Sequence, residues 1–134
     1  MKKLEHIGIA VKNLEESNAL FAKLLGKPHY KIEEVESEGV RTSFFAVGDI
    51  KIELLEATRP DSPIARFVEK KGEGLHHLAF GTEDIVNDMN ELSAKDFLML
   101  ADKPKPGADN KMIVFIHPKT SNHVLVELCQ DKKS

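Results

Sequence analysis

The run His6-Ile7-Gly8-Ile9-Ala10-Val11 decides the fold of this chain, because a similar run, His77-Leu78-Ala79-Phe80-Gly81, begins 71 residues later. A Glu-bearing apolar run follows each of them, Ile50-Lys51-Ile52-Glu53-Leu54-Leu55 and Val124-Leu125-Val126-Glu127-Leu128. Self-similarity at a nearly fixed spacing indicates a duplicated structural unit. The sequence therefore predicts two tandem modules, each with one His and one Glu in equivalent places.

Hydrophobic periodicity predicts the order strand, helix and three strands in each module, which makes the chain an α+β protein. Asn13 is a favourable helix N-cap and Gly26 a favourable helix stop, while Ser37-Glu38-Gly39 and Gly48-Asp49 are hairpin signals. The first module is predicted to have strands at about 4–11, 29–37, 40–47 and 50–56 and a helix at about 14–25. The second is predicted to have strands at about 74–81, 97–101, 111–117 and 123–129 and a helix at about 84–94.

The 134 residues have the length of one compact domain. Within it, module one spans about residues 1–58 and module two about 73–134. A connector at about 59–72 opens with Arg59-Pro60-Asp61-Ser62-Pro63 and continues into a short helical stretch. We therefore expect a single domain, 1–134, made of two β-α-β-β-β modules.

Composition excludes several classes of function. The net charge is −3 with both signs interspersed, so there is no basic stripe for nucleic acid, and no apolar stretch approaches a membrane span. The charged start passes directly into a strand pattern, from which we expect no signal segment. Cys129 is the only cysteine, so no intrachain disulfide can form and a cytoplasmic location is expected.

Strand alternation supports a metal site. Around His6 the same-face neighbours are small, Gly8 and Ala10, and around His77 they are Ala79 and Gly81. Small residues beside an imidazole leave room for a metal and a bound molecule. Glu53 and Glu127 lie within apolar strands, where burial of an ionised carboxylate is costly without a partner. We therefore predict one divalent metal ion with the ligands His6, Glu53, His77 and Glu127.

Ordinary explanations exist for each residue taken alone. A single His on a strand is most often a core or surface residue; Glu53 would face solvent from an edge strand, and Glu127 would be the polar side of a terminal strand. The equivalent placement of both pairs favours the metal site over these alternatives. His76 has the opposite parity to His77 and is predicted to face away from the site.

These residues carry a family resemblance that covers nearly the whole chain. The doubled pattern resembles the vicinal oxygen chelate superfamily and, within it, the methylmalonyl-CoA epimerases. The specific pieces are the His6 run, Gly48–Glu56, Pro60-Asp61-Ser62-Pro63-Ile64-Ala65, Gly72-Glu73-Gly74-Leu75-His76-His77, and His117-Pro118-Lys119 leading to Glu127. The resemblance implies a U-shaped, partly closed mixed sheet around a cleft holding one cobalt, nickel, manganese or zinc ion. It also implies an acyl-CoA substrate and a homodimer.

The resemblance further implies interconversion of (2R)- and (2S)-methylmalonyl-CoA through a metal-stabilised enolate. Glu127 corresponds to a residue that is both ligand and base in relatives. Some members carry a second Glu where this chain has Thr42, which cannot act as a base at neutral pH. The second proton carrier is then Glu53, a residue elsewhere or a metal-bound water, although some relatives have Gln at the place of Glu53.

Two other functions fit the same pattern. A glyoxalase I-like lactoylglutathione lyase would use the same four ligands, although glyoxalase I usually differs in the turn that here reads His117-Pro118-Lys119-Thr120-Ser121-Asn122. A non-enzymatic small-molecule-binding protein of the drug-resistance type would use the cleft only to hold a ligand. The presence of all four ligand types argues against that last reading.

Overall fold

The computed structural model describes residues 2–132 and divides into two compact units. One unit comprises His6–His76, and the other comprises the described residues before His6 together with those from His77 onward. The boundary between the predicted modules, in the connector at 59–72, therefore differs from the division by contacts. Among residues 2–132, no helix is long and apolar enough to cross a membrane.

Eight strands and three α-helices make up the two units. The elements in chain order are β1 (Lys3–Val11), α1 (Leu14–Leu25), β2 (Lys31–Val35), β3 (Val40–Val47), β4 (Ile50–Ala57), α2 (Pro63–Lys71), β5 (Gly74–Gly81), α3 (Ile85–Ala94), β6 (Lys105–Pro106), β7 (Lys111–Ile116) and β8 (Val126–Asp131). Short 3-10 turns lie at Glu36–Glu38 and Pro118–Thr120.

In the His6–His76 unit, the strands lie in the order β2-β3-β4-β1. β1 runs parallel to β4, and the other neighbours are antiparallel. The Asn13 side chain caps α1 by accepting the Glu16 backbone N–H, and the helix ends at Gly26 in the left-handed conformation. α1 covers one face of the sheet, where the buried core consists of Val11, Leu14, Phe45 and Leu54.

α2 packs on the opposite face of the same sheet. Its Ile64 contributes to a buried cluster with Ala10, Val40 and Leu55. Ala10 lies on the face of β1 that carries His6, because alternate residues of a strand share a face. α2 therefore covers the far end of the face that bears His6, and it leaves the His6 end to the functional residues.

In the other unit, the strands lie in the order β5-β8-β7-β6. β5 is parallel to β8, and β7 pairs antiparallel with both β8 and β6. α3, capped by Asp84, covers one face through Ile85 and Met89. These pack on buried side chains of β7 and β8, namely Val114, Ile116 and Leu128. The predicted α+β class and the β-α-β-β-β order of both halves are confirmed.

One predicted strand is wrong. Residues 97–101 form no strand; Met99 makes only an isolated bridge with Ile116, and the third element of this unit is the two-residue β6. Asp96 is in the left-handed region, with φ 72°, and prolines at 104 and 106 lack the N–H that a continuous ladder requires. The last strand also begins late, because Asn122 and His123 are left-handed, with φ of 55° and 64°.

Candidate metal centre

The first His–Glu pair lies within the His6–His76 unit. Glu53 on β4 is the register partner of Gly8, the second residue after His6 on β1. The His6 Nδ1 atom lies 3.1 Å from Glu53 Oε2. His6 is 4% exposed and Glu53 is 5% exposed, so this is a buried imidazole–carboxylate pair. The parallel pairing of β1 with β4 brings together two residues that are 47 positions apart in the sequence.

The second pair lies within the other unit and repeats this arrangement. Glu127 on β8 is the register partner of Ala79, the second residue after His77 on β5. The His77 Nε2 atom lies 3.5 Å from Glu127 Oε1, and both residues are buried. The His+2 residue is thus the partner of the Glu in both units, which is the structural expression of the sequence duplication.

The ordinary explanations for the two glutamates are wrong. β4 lies between β3 and β1, so Glu53 is not on an edge strand. β8 lies between β5 and β7, so Glu127 is not on the edge of its sheet. Each carboxylate is buried beside an imidazole, which leaves the need for charge compensation that the sequence indicated.

The donor geometry of each pair fits a divalent ion. Two ligand atoms that bind one ion at about 2.0 to 2.2 Å, at tetrahedral or octahedral angles, stand about 3.0 to 3.6 Å apart. The two observed separations, 3.1 and 3.5 Å, fall within that range. Neutral imidazole nitrogen and carboxylate oxygen are donors that nickel, cobalt, manganese and zinc accept. Each pair therefore has the chemistry and spacing of half of a four-ligand site.

An aromatic ring flanks each glutamate, a feature that the sequence interpretation missed. Phe44 is the register partner of Glu53, and Phe115 is the register partner of Glu127. Phe44 is fully buried, and the Phe115 ring stands edge-on to the His77 imidazole at 5.8 Å between centroids. Phe44 and Phe115 are 71 residues apart, the same offset as His6 and His77, so the repeat itself carried the signal.

His76 takes no part in the metal pairs. Its ring packs edge-on against Phe67 of α2, with centroids 4.9 Å apart. Burial in this apolar setting lowers the pKa of His76 from 6.5 to about 4, because desolvation disfavours the imidazolium. His76 is thus a packing residue that is neutral at pH 7, in agreement with its predicted orientation.

Thr42 stands on the face of the sheet that carries Glu53. It is the register partner of Leu55, and only 1% of it is exposed. Since Leu55 is two residues from Glu53, Thr42 lies one step along the same face. This position in β3 holds no carboxylate, so it supplies no second acid or base.

Comparison with known proteins places this geometry in a family. Residues 5–115 match the model of the Glyoxalase/Bleomycin resistance protein/Dioxygenase superfamily. The chain belongs to this superfamily. The predicted resemblance is thereby confirmed, and the His–Glu pairs lie in a fold that the superfamily shares.

Individual members of the superfamily are similar over almost their full length. The Bacillus subtilis uncharacterized protein YqjC is 40% identical over 132 residues, which cover 98% of this chain and 94% of that protein. The ethylmalonyl-CoA/methylmalonyl-CoA epimerase of Cereibacter sphaeroides is 37% identical over 130 residues, covering 96% of this chain and 97% of the relative. Methylmalonyl-CoA epimerases are thus homologues of this chain.

A solved structure supports the same assignment. A variant of the Streptomyces coelicolor methylmalonyl-CoA epimerase, in complex with 2-nitronate-propionyl-CoA, superimposes with a TM-score of 0.93 at 34% identity. The match covers 98% of each chain. The fold predicted from the sequence is therefore the fold of methylmalonyl-CoA epimerases.

Proposed function

We propose that this protein is a metal-dependent methylmalonyl-CoA epimerase that interconverts the 2R and 2S thioesters. The observation that carries the proposal is the pair of buried His–Glu contacts with the same register in both units. Homologous epimerases with 37% identity over their whole length support the same activity. The complex of the Streptomyces coelicolor relative with an acyl-CoA compound supports a CoA thioester as the substrate class.

In this proposal, the two pairs together hold one divalent ion. The ligands would be His6, Glu53, His77 and Glu127, and two carboxylates would balance the charge of the ion. A set of two neutral imidazoles and two carboxylates leaves positions for substrate oxygens on an octahedral ion. Cobalt, nickel, manganese and zinc all suit these donors, and elemental analysis of purified protein distinguishes them.

The chemistry requires removal and return of the C2 proton. When bound, the cation supplies stabilisation of the negative charge that develops on the thioester oxygen. The Glu127 carboxylate is placed to accept the C2 proton, since a carboxylate is an effective general base at neutral pH. Phe115 beside Glu127 and Phe44 beside Glu53 exclude water from the carboxylates and so strengthen the local electrostatics.

A substrate comparison tests the proposal against the glyoxalase alternative. We expect interconversion of methylmalonyl-CoA epimers and almost no isomerisation of the methylglyoxal–glutathione adduct. The reverse ratio of activities would assign the protein to lactoylglutathione lyases. Binding of an aromatic drug without turnover of either compound would assign it to the small-molecule-binding resistance proteins.

Two further expectations from the sequence stay predictions. The family resemblance supports a homodimer, which sedimentation equilibrium of the purified protein tests directly. The single cysteine, Cys129, is buried and unoxidised, which is consistent with a reducing compartment such as the cytoplasm. Cell fractionation tests the location.

A further inference from the structure

We infer that Glu5 is the second proton carrier of the epimerisation, acting on the face of C2 opposite to Glu127. This inference rests on the proposed function, and it assigns a role that the sequence interpretation left open among Glu53, a residue elsewhere and a water. Strict alternation along β1 would put Glu5 on the face opposite to His6, which is why the sequence did not single it out.

The structure places the Glu5 side chain on the same face as Glu127. A carboxylate oxygen of Glu5 lies within 4.8 Å of the Cys129 Sγ atom, and Cys129 is two residues from Glu127 on β8. Glu5 also lies against Gly81, where a Cβ atom would stand 3.6 Å from Glu5 Cγ. Gly81 is the register partner of Cys129, as Ala79 is of Glu127. The absence of a side chain at Gly81 thus leaves Glu5 space one step from Glu127.

The spacing fits a two-sided proton transfer. Residues two apart on a strand are separated by about 7 Å. A carbon atom that is reached from opposite faces by two carboxylates, each at about 3 Å, also separates them by about 6 to 7 Å. Glu5 and Glu127 are therefore spaced as two groups that act on one carbon from both sides.

Lys111 supplies Glu5 with a proton. The Lys111 Nζ atom lies 3.7 Å from Glu5 Oε2, and the two side chains are only 12% and 13% exposed. Lys111 also forms a short ion pair with Asp131, whose side chain is 83% exposed. The chain Glu5, Lys111, Asp131 thus joins a buried carboxylate to solvent through one ammonium group.

The proposed step balances without any other reactant. In one direction, the C2–H bond breaks and its proton passes to Glu127. A new C2–H bond forms on the opposite face with the proton of the Glu5 carboxyl, which Lys111 had supplied from its ammonium. Lys111 recovers a proton from water at its exposed end, and Glu127 returns its own to water. In the other direction Glu5 accepts the proton and Glu127 donates it.

The test is Glu5→Gln with each epimer of methylmalonyl-CoA separately, followed by proton NMR in deuterium oxide. Because Glu127 remains, we expect one epimer to exchange its C2 proton without inversion and the other to be inert. Interconversion should fall by about 10² to 10⁴, as for a lost general acid or base. Glu5→Asp should recover part of the interconversion, because it restores a carboxylate. Metal content and the circular dichroism spectrum should match those of the unchanged protein.

Other results separate the inference from the function on which it rests. Interconversion by Glu5→Gln at the unchanged rate, or equal loss of exchange from both epimers with metal and fold retained, would overturn the role of Glu5 alone. Absence of exchange in the unchanged protein would overturn the epimerase assignment, and the inference with it. Glu15→Gln, an exposed change in α1, is the matched control and should behave as the unchanged protein. Lys111 keeps Asp131 as a partner in Glu5→Gln, so the variant leaves no buried charge alone.

Discussion

His77 Nε2 lies 3.5 Å from Glu127 Oε1, and this contact is the counterpart of the 3.1 Å contact between His6 Nδ1 and Glu53 Oε2. Both arise because the residue two positions after the His pairs with the Glu of a parallel neighbouring strand. A duplicated β-α-β-β-β module is therefore sufficient to build two equivalent ligand pairs. The predictions below test whether the pairs act as one metal centre.

His77→Ala should lose most of the bound metal. Removal of one of four ligands weakens a site strongly, and the exposed loops near it offer no replacement of the same geometry. Elemental analysis of the purified protein should give about one divalent ion per chain before the change and far less after it. His76→Ala is the matched control, because the neighbouring ring packs on Phe67 instead. Unchanged metal in His77→Ala would remove His77 from the ligand set.

Glu127→Gln should reduce turnover by about 10² to 10⁴ while much of the metal is kept, because Gln retains an oxygen ligand but cannot accept a proton. Glu53→Gln should reduce turnover much less, since related proteins carry Gln at that place. Turnover and metal content are measured on the same preparations. Equal losses in the two variants would instead support a symmetric mechanism with Glu53 as the second base.

Much of the site was predictable because it follows strand periodicity. Identical spacing of two His runs and two Glu runs defined the modules, and parity put Gly8 and Ala79 beside the imidazoles. Glu5 was missed for a physical reason: the face on which it lies departs from the alternation that the pattern assumes. Phe44 and Phe115 were missed because aromatic residues in strands ordinarily indicate packing, although their offset of 71 residues was available.

Stability should fall as the pH is lowered from about 6.5 to 4, in part through His76. The pKa of His76 is lowered to about 4 in the folded protein, whereas the unfolded chain has its ordinary value of 6.5. The unfolded state thus binds the proton first, and the free energy of unfolding decreases across this window, by about 1 to 3 kcal/mol. Urea unfolding of the unchanged protein and of His76→Gln, at pH 7 and pH 4.5, isolates the share of His76. An equal pH dependence in both would contradict the prediction.

Gly39→Ala should destabilise the protein more than Gly26→Ala. Both glycines have positive φ, 64° and 78°, so both changes carry a backbone cost of about 1 kcal/mol. Only at Gly39 does a Cβ meet other atoms, 2.9 Å from Arg59 Cζ and from Ser62 Cβ. Arg59 is held there by the Glu36 carbonyl and by Asp61. The difference in urea midpoints should therefore favour Gly26→Ala, and equal midpoints would show that Arg59 moves without cost.

The remainder of the fold was less predictable where local rules compete. Residues 97–101 have the composition of a strand, but a left-handed Asp96 and the prolines at 104 and 106 limit the pairing to one bridge at Met99. The helices were accurate because each has an explicit cap, Asn13 for α1 and Asp84 for α3. Caps and prolines act locally, whereas the choice of strand partner depends on tertiary contacts that a single sequence does not state.

The central claim is that the buried His–Glu pairs support removal of the C2 proton of a malonyl-type thioester. The most direct measurement is proton NMR of methylmalonyl-CoA in deuterium oxide with the metal-loaded protein. The account predicts loss of the C2 proton signal and conversion of the methyl doublet to a singlet, at a rate proportional to protein and abolished by Glu127→Gln. Persistence of the C2 proton with fully metal-loaded, folded protein would contradict it.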